Sequence, residues 1–382
     1  TVRAGMRSGH NKQSVLVETL NGLETVKSSG AGPLMKSRYQ EALSAQSDTS
    51  GRAKGLSQFI VNFAASVQQY AQIAIIFYGV FLIRDGEISQ GALIAAVILG
   101  GRAMAPLGQL ANVLSRANNA LSAYRSLSKL FRDGGSYQLG KNSISRGLLD
   151  GEIEFKDVSF QYDELSEKVI DSMNFKIPKG QKVAIVGKMG SGKSTIAKLL
   201  SHSISPTNGS VLLDGVDIRQ LDSADLQRNV GIMPQEPWLF SGTVRENLQV
   251  GFTEYSDDQI LSIAKIGGVD EFVSQLPEGY DTILLEKGAG LSGGQKQAIS
   301  LSRALLHSPG IVVLDEPTSS MDQNSEKIVV ERLYEYCKEK TLVIITHRNA
   351  LLAICDRIIV MENGKIISDN TPEELGVKKL AI

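Results

Sequence analysis

Gly187-Lys188-Met189-Gly190-Ser191-Gly192-Lys193-Ser194-Thr195 fits the pattern G-x-x-x-x-G-K-[ST] and follows the apolar run Val183-Ala184-Ile185-Val186. The order is strand, glycine loop, helix. Glycines at 187, 190 and 192 let the main chain wrap closely round phosphates, so that backbone N–H groups and a helix N-terminus face the anion. Lys193 is expected to reach the β- and γ-phosphates, and Ser194 to offer its hydroxyl to Mg²⁺ with Thr195 beside it. Ile196, Leu199 and Leu200 then give the helix an apolar face for a sheet. A chance glycine-rich turn would not bring strand, loop, Lys-Ser pair and helix into agreement, so the segment reads as a nucleotide site.

Two further stretches downstream suit the same chemistry. Ile311-Val312-Val313-Leu314 is apolar on both faces, as a central parallel strand is, and ends in Asp315-Glu316 at the carboxyl end where ligands bind such sheets. Asp315 is expected to hold Mg²⁺ and Glu316 to orient or deprotonate the attacking water; two buried carboxylates with no ion beside them would be costly. Leu291-Ser292-Gly293-Gly294-Gln295 precedes a helix through Ala298, Ile299, Leu301 and Ala304, and offers a hydroxyl, a flexible backbone and a helix N-terminus to a second phosphate contact. A half-exposed strand at Ile153-Glu154-Phe155-Lys156-Asp157-Val158 opens this part of the chain, and strands alternate with helices through Leu342-Val343-Ile344-Ile345, which implies an α/β sheet.

The N-terminal third is different. Asn11 to about Leu43 follows helical spacing, with a break near Ser28-Ser29-Gly30-Ala31-Gly32-Pro33. Two runs almost free of charge follow, about 56–83 and 91–114, separated by the polar turn Arg84-Asp85-Gly86-Glu87, and a bilayer crossing needs roughly 20 residues. Lys36, Arg38, Arg52 and Lys54 precede the pair and Arg116, Arg125, Lys129 and Arg132 follow it, which places both ends in the cytoplasm. Asn62, Gln68, Gln69 and Gln72 support the rival reading of buried helices in a soluble bundle. Asn62, Ser66 and Gln69 nevertheless share a face that other helices could cover. Two crossings make a poor pore, so further helices are expected from upstream chain or from another subunit.

Residues 133–150 lack apolar periodicity and read as a linker between an all-α transmembrane part, 1–132, and an α/β P-loop domain, 151–382. The formal net charge of −1 in 382 residues gives no global attraction toward nucleic acid. Cys337 and Cys355 have no metal-ligand spacing and read as buried reduced thiols.

From about Gly151 onward the glycine loop, the Ser292 signature and the Asp315-Glu316 strand, in that order, resemble the ATP-binding-cassette (ABC) ATPases with their Walker A, signature and Walker B motifs. The resemblance implies further roles. Tyr162 sits where an aromatic stacks on adenine, and Gln235 in Met233-Pro234-Gln235 matches the Q-loop glutamine that touches Mg²⁺ and the transport domain. His347 matches the switch histidine on the γ-phosphate, and Asp322 closes the D-loop Ser319-Ser320-Met321-Asp322. The catalytic set it implies is Lys193, Gln235, Glu316 and His347, with nucleotide contacts from Tyr162, residues 187–195 including Lys188, Met189 and Ser191, and Ser292, Gly294, Gln295 and Asp322. Ser194, Gln235 and Asp315 would hold the metal, with ATP and Mg²⁺ as cofactors. Ser320-Met321 replaces the commoner Ala-Leu, and Lys296 a frequent arginine.

Glu18 to Lys27 is similar to the second intracellular loop of an exporter membrane domain, which carries a coupling helix, and the two apolar runs would be helices five and six of six. Arg102-Ala103-Met104-Ala105-Pro106-Leu107-Gly108-Gln109-Leu110 and Trp238 to Leu248 resemble the permease-ATPases of bacterial type I protein secretion. That implies a homodimer in the bacterial inner membrane with a cytoplasmic ATPase. Its partners would be a secreted RTX-like toxin or adhesin, a periplasmic adaptor, an outer-membrane channel and membrane lipid, but no nucleic acid. Multidrug or lipid exporters share much of both stretches and form the alternative; a soluble cassette ATPase fits the apolar runs least.

Overall fold

Ser28 to Pro33 breaks the first helical stretch because Gly30 takes φ +65° and Pro33 has no N–H to donate, which suits it to the first turn of the helix that follows. The computed structural model describes residues 2–133, 143–163, 166–251 and 255–377, so positions 134–142 of the expected linker lie outside the described residues. The chain divides into two compact units, Thr1–Gly135 and Ser136–Ile382.

The first unit is helical: α1 (Val2–Asn21), α2 (Leu23–Ser28), α3 (Gly32–Arg84) and α4 (Gln90–Asp133). A second interruption, at Gly22, separates α1 from α2 where the sequence shows continuous helical spacing. The turn between α3 and α4 uses Gly86 at φ +74°, and the Ser89 hydroxyl caps α4 by accepting from Ala92 N–H at 3.2 Å. Helix α1 packs along α3, and α3 along α4.

Among the described residues one stretch, Ala65–Arg84, is long and apolar enough to cross a membrane, and only 6% of it is buried within the unit. Phe77, Tyr78 and Ile94 are largely exposed. Side chains this exposed on one helix call for a cover of lipid or of further helices. A second apolar stretch, Gln90–Ala103, opens α4, and the side chains at 104–112, within the expected run 91–114, lie outside the described residues.

The second unit runs β1 (Ile153–Phe160), β2 (Ile170–Ile177), β3 (Lys182–Gly187), α5 (Lys193–Leu200), β4 (Asn208–Leu213), β5 (Val216–Asp217), α6 (Ser223–Asn229) and β6 (Val230–Met233). It continues through β7 (Gly242–Thr243), α7 (Val244–Leu248), α8 (Asp257–Gly267), α9 (Val269–Val273), β8 (Ile283–Leu284), α10 (Gly293–Leu306), β9 (Ile311–Asp315), α11 (Gln323–Tyr336), β10 (Thr341–Ile345), α12 (Asn349–Leu352), β11 (Arg357–Glu362) and β12 (Lys365–Asn370). The main sheet has the order β12-β11-β3-β10-β9-β6 and is parallel except for β12, while β2-β1-β4-β5 form an antiparallel sheet.

Every residue of β9 and β10 is buried, and the period of two divides them between two cores. Val312, Leu314, Leu342 and Ile344 join the core that includes Leu301 and Leu305 of α10 and Val329 of α11. Ile311, Val313, Val343 and Ile345 join the other, with Ile196 and Leu200 of α5 and the antiparallel sheet. Cys337 and Cys355 are free and buried, as expected of reduced thiols, and burial pushes the Cys337 thiol up to about 12.

Candidate functional site

Parallel pairing in register sets Ile185, Ile345 and Asp315 level across β3, β10 and β9, with Met233 of β6 opposite Leu314. The segments that leave the carboxyl ends of these strands therefore meet at one edge, where ligands bind open α/β sheets. The glycine loop follows β3, Glu316 follows β9, Thr346-His347 follows β10 and Gln235 follows β6. They line a cavity of about 560 Å³ that includes Gly190, Gly192, Lys193, Ser194 and Thr195 as well as Gln235, Asp315, Glu316 and His347.

The loop's shape depends on residues without a side chain. Gly192 adopts φ +94°, and a Cβ there would lie 2.7 Å from the Val169 carbonyl oxygen, so no other residue fits immediately before α5. Lys193 Nζ donates to the carbonyls of Gly187 at 2.6 Å and Lys188 at 2.8 Å, which holds the ammonium over the loop. Burial lowers its pKa, against the raising influence of Asp315 and Glu316. Ser191 is buried and Met189 fully exposed at the loop tip, whereas the Lys188 ammonium pairs with Glu362 at 2.7 Å.

Asp315 is 3% exposed; burial raises its pKa, opposed by a hydrogen bond from Ser194 and the charge of Lys193. A serine hydroxyl paired with a carboxylate, and Gln235 on the same cavity, are hard oxygen donors of the kind Mg²⁺ takes. Among the described residues no cluster of three or more acidic, His or Cys groups could hold a metal unaided. Burial raises the pKa of Glu316 as well, and His347 opposes this.

Tyr162 stands apart from the residues lining this cavity. Its ring, 52% exposed, meets Phe160 edge to face at 4.9 Å, with Lys198 Nζ 5.5 Å from its centroid and 3.3 Å from its hydroxyl. Burial pushes the hydroxyl up in pKa, but hydrogen bonds with Thr195 and Lys198 outweigh that and leave it below the ordinary value. The buried Thr195 thus ties the aromatic to the helix that starts at the phosphate loop, a link the sequence does not reveal. If the ring stacks on adenine, Tyr162→Ala should raise the Kd for ATP roughly 10- to 100-fold, the range of base–aromatic stacking. Tyr162→Phe should be far milder; equal damage from both variants, read by ATP titration, would assign the residue to its hydrogen bonds instead.

Ser292, Gly294, Gln295 and Asp322 line a separate cavity of about 260 Å³, together with Gly268, Phe272 and Met321. The chain therefore does not bring its signature onto its own phosphate loop. Ser292 caps α10 in a capping box: its hydroxyl accepts from Gln295 N–H at 3.2 Å, and Ser292 N–H donates to Gln295 Oε1 at 2.8 Å. The Ser292 O–H proton stays available to a further acceptor. A Cβ on Gly294 would lie 3.0 Å from the Ser320 carbonyl oxygen, so its lack of a side chain lets the D-loop approach closely. Asp322 caps α11, accepting from Asn324 and Ser325 N–H.

Three residues near the site escaped the sequence reading. Buried Gln297 hydrogen-bonds the Glu316–Ser320 segment, and Arg348 donates to the Ser319 carbonyl at 2.7 Å and pairs with the buried Glu326. Arg303 of α10 donates to the carbonyls of Asn247 and Trp238 and so fixes the loop before α7. Gln297 could have been noticed as a polar residue on the apolar face formed by Ala298, Leu301 and Ala304.

A family model described as ABC transporter matches residues 170–319, and one described as ABC transporter transmembrane region matches residues 3–100. The alpha-hemolysin translocation ATP-binding protein HlyB of Escherichia coli O157:H7 is 34% identical over 98% of the chain and 52% of its own length. The leukotoxin translocation ATP-binding protein LktB of Mannheimia glucosida is 34% identical over 97% of the chain and 52% of its own length. The chain thus spans about half the length of the curated relatives it matches. A structure of a bacterial Atm1-family ABC exporter with ATP bound superposes with a TM-score of 0.87 at 27% identity, covering 98% of this chain and 66% of that one.

Proposed function

The chain belongs to the ABC transporter family, and from that premise we propose that it is part of an ATP-driven exporter of the bacterial inner membrane that acts as a homodimer and secretes a protein. The observation that carries the transport reading is the pairing of a helical transmembrane region with a nucleotide cavity that holds Lys193, Asp315 and Glu316 at one sheet edge. In this reading Lys193 and the loop N–H groups bind the β- and γ-phosphates, Ser194, Asp315 and Gln235 hold Mg²⁺, Glu316 takes the proton of the attacking water and His347 contacts the γ-phosphate. Ser292, Gly294, Gln295 and Asp322 close on nucleotide held by a second copy, which accounts for their separate cavity.

The toxin-translocation relatives favour an RTX-like protein as cargo, carried onward by a periplasmic adaptor and an outer-membrane channel. Multidrug or lipid export is the second reading, since the chain also superposes on an Atm1-family exporter, whose name carries no toxin cargo. Cells that carry the full-length protein with an RTX polypeptide, adaptor and channel should release the polypeptide into the medium, and Lys193→Ala should stop release. ATPase activity stimulated by lipid or drug, with no secretion of the RTX polypeptide, would favour the second reading.

A further inference from the structure

Glu316 lies at φ +49°, in the left-handed region that residues with a Cβ avoid. Such a conformation persists only where the surroundings fix it. Glu316 N–H donates to the Ile345 carbonyl at 2.8 Å, and Thr346 Oγ1 donates to Glu316 Oε2 at 3.4 Å. The third tie comes from α10. Gln297, only 2% exposed, donates through Nε2 to the Glu316 carbonyl at 3.2 Å and to Ser319 Oγ at 2.7 Å, and accepts from Ser320 N–H at 2.9 Å. One side chain thus satisfies three groups of the segment that leaves β9.

We propose that Gln297 is a positioning residue for Glu316: its amide, rooted in the helix that begins at Ser292, holds the Glu316 carbonyl and the loop after it, and so keeps the Glu316 carboxylate aimed into its own chain's phosphate cavity. The inference rests on the reading of Glu316 as the base. A buried amide fully paired in this way costs little, whereas removing it leaves the Ser320 N–H and the Glu316 carbonyl unsatisfied and frees the loop to relax toward an unstrained backbone.

The test uses the full-length protein with Gln297→Met, which keeps the length and packing of the side chain. The expected result is a fall in kcat of about 100-fold, as for a catalytic group moved by an ångström, with ATP affinity and KM nearly unchanged. Wild-type kcat would overturn the proposal, as would a loss of ATP binding that accounts for the defect. If Gln297→Met does not assemble, Gln297→Glu carries the same test, since it keeps an acceptor for Ser320 N–H but sets an oxygen against the Glu316 carbonyl.

Tandem-purified heterodimers assayed for single-turnover hydrolysis show on which site Gln297 acts. With Lys193→Ala and Gln297→Met in the same chain, the partner's phosphate cavity should hydrolyse as it does in a Lys193→Ala/wild-type heterodimer. With the two changes in opposite chains, the surviving cavity should lose its turnover. Equal loss in both arrangements, or the reverse order, would overturn the proposal. Ser292→Ala placed in the same two ways is the control, because sites shared between copies give it the opposite order. Failure of that control rejects the shared sites and leaves the Gln297 result standing, since the Gln297 order is the same whether or not the sites are shared. Wild-type turnover in Glu316→Gln would instead remove the base on which the proposal rests.

Discussion

Glu316→Gln is expected to keep ATP binding and lower kcat by roughly 10²- to 10⁴-fold, the range that positioned general bases contribute. The amide can still orient water but cannot take its proton. Glu316 is half-buried beside Asp315, and burial raises its pKa, so the acid limb of kcat in the wild type should lie above the ordinary glutamate range. The sign follows from the role: the base works deprotonated, a raised pKa extends the protonated form to higher pH, and activity falls sooner as pH drops. Glu316→Gln should lose that limb along with its turnover. Asp315→Asn should act differently and weaken the Mg²⁺-dependent part of ATP binding, because the ion loses a charged oxygen partner. ATP titrations with and without Mg²⁺, beside steady-state hydrolysis, separate the two carboxylates. Wild-type turnover in Glu316→Gln would rule out the base.

A mixed dimer carrying Lys193→Ala in one copy and Ser292→Ala in the other is expected to retain one working site, although either change present in both copies disables both. Within one chain Lys193 and Ser292 line different cavities, so a single copy does not present its signature hydroxyl to its own phosphates. If two copies face each other, each cavity with Lys193 closes on the partner's Ser292. Both lesions of the mixed dimer then fall in the same site, and the other keeps an unaltered lysine and serine. Were each chain to complete its own site, one would lack its lysine and the other its serine, and both would fail. Nucleotide trapping on heterodimers purified through two different tags measures this without requiring that one site support transport. Trapping no higher than in the doubly mutant homodimers would reject the shared sites.

Much of this was open to a reader of the sequence. Gly187 to Thr195 declares strand, loop and helix because each residue's requirement is local: Gly192 needs a left-handed φ, Lys193 follows it, and α5 repeats its apolar face within two turns. The fully buried strands announced themselves by apolar runs, since Ile311–Asp315 and Thr341–Ile345 present side chains to two cores at once. The apolar stretches were equally plain, because freedom from charge is read directly along the chain: Ala65–Arg84 falls on the first expected run and Gln90–Ala103 on the start of the second.

The set of elements, the order of motifs and the residue types at the sheet edge were thus written along the chain. It took the folded molecule to bring the ends of β3, β10, β9 and β6 side by side, to make Ser292 and Gln295 cap their own helix, and to carry Gln297 to Glu316, Ser319 and Ser320. The difference is one of range. Helix periodicity, strand alternation and glycine loops are fixed by steric limits between neighbours in the chain, whereas parallel strands pair through crossovers and a buried amide finds its partners wherever packing delivers them.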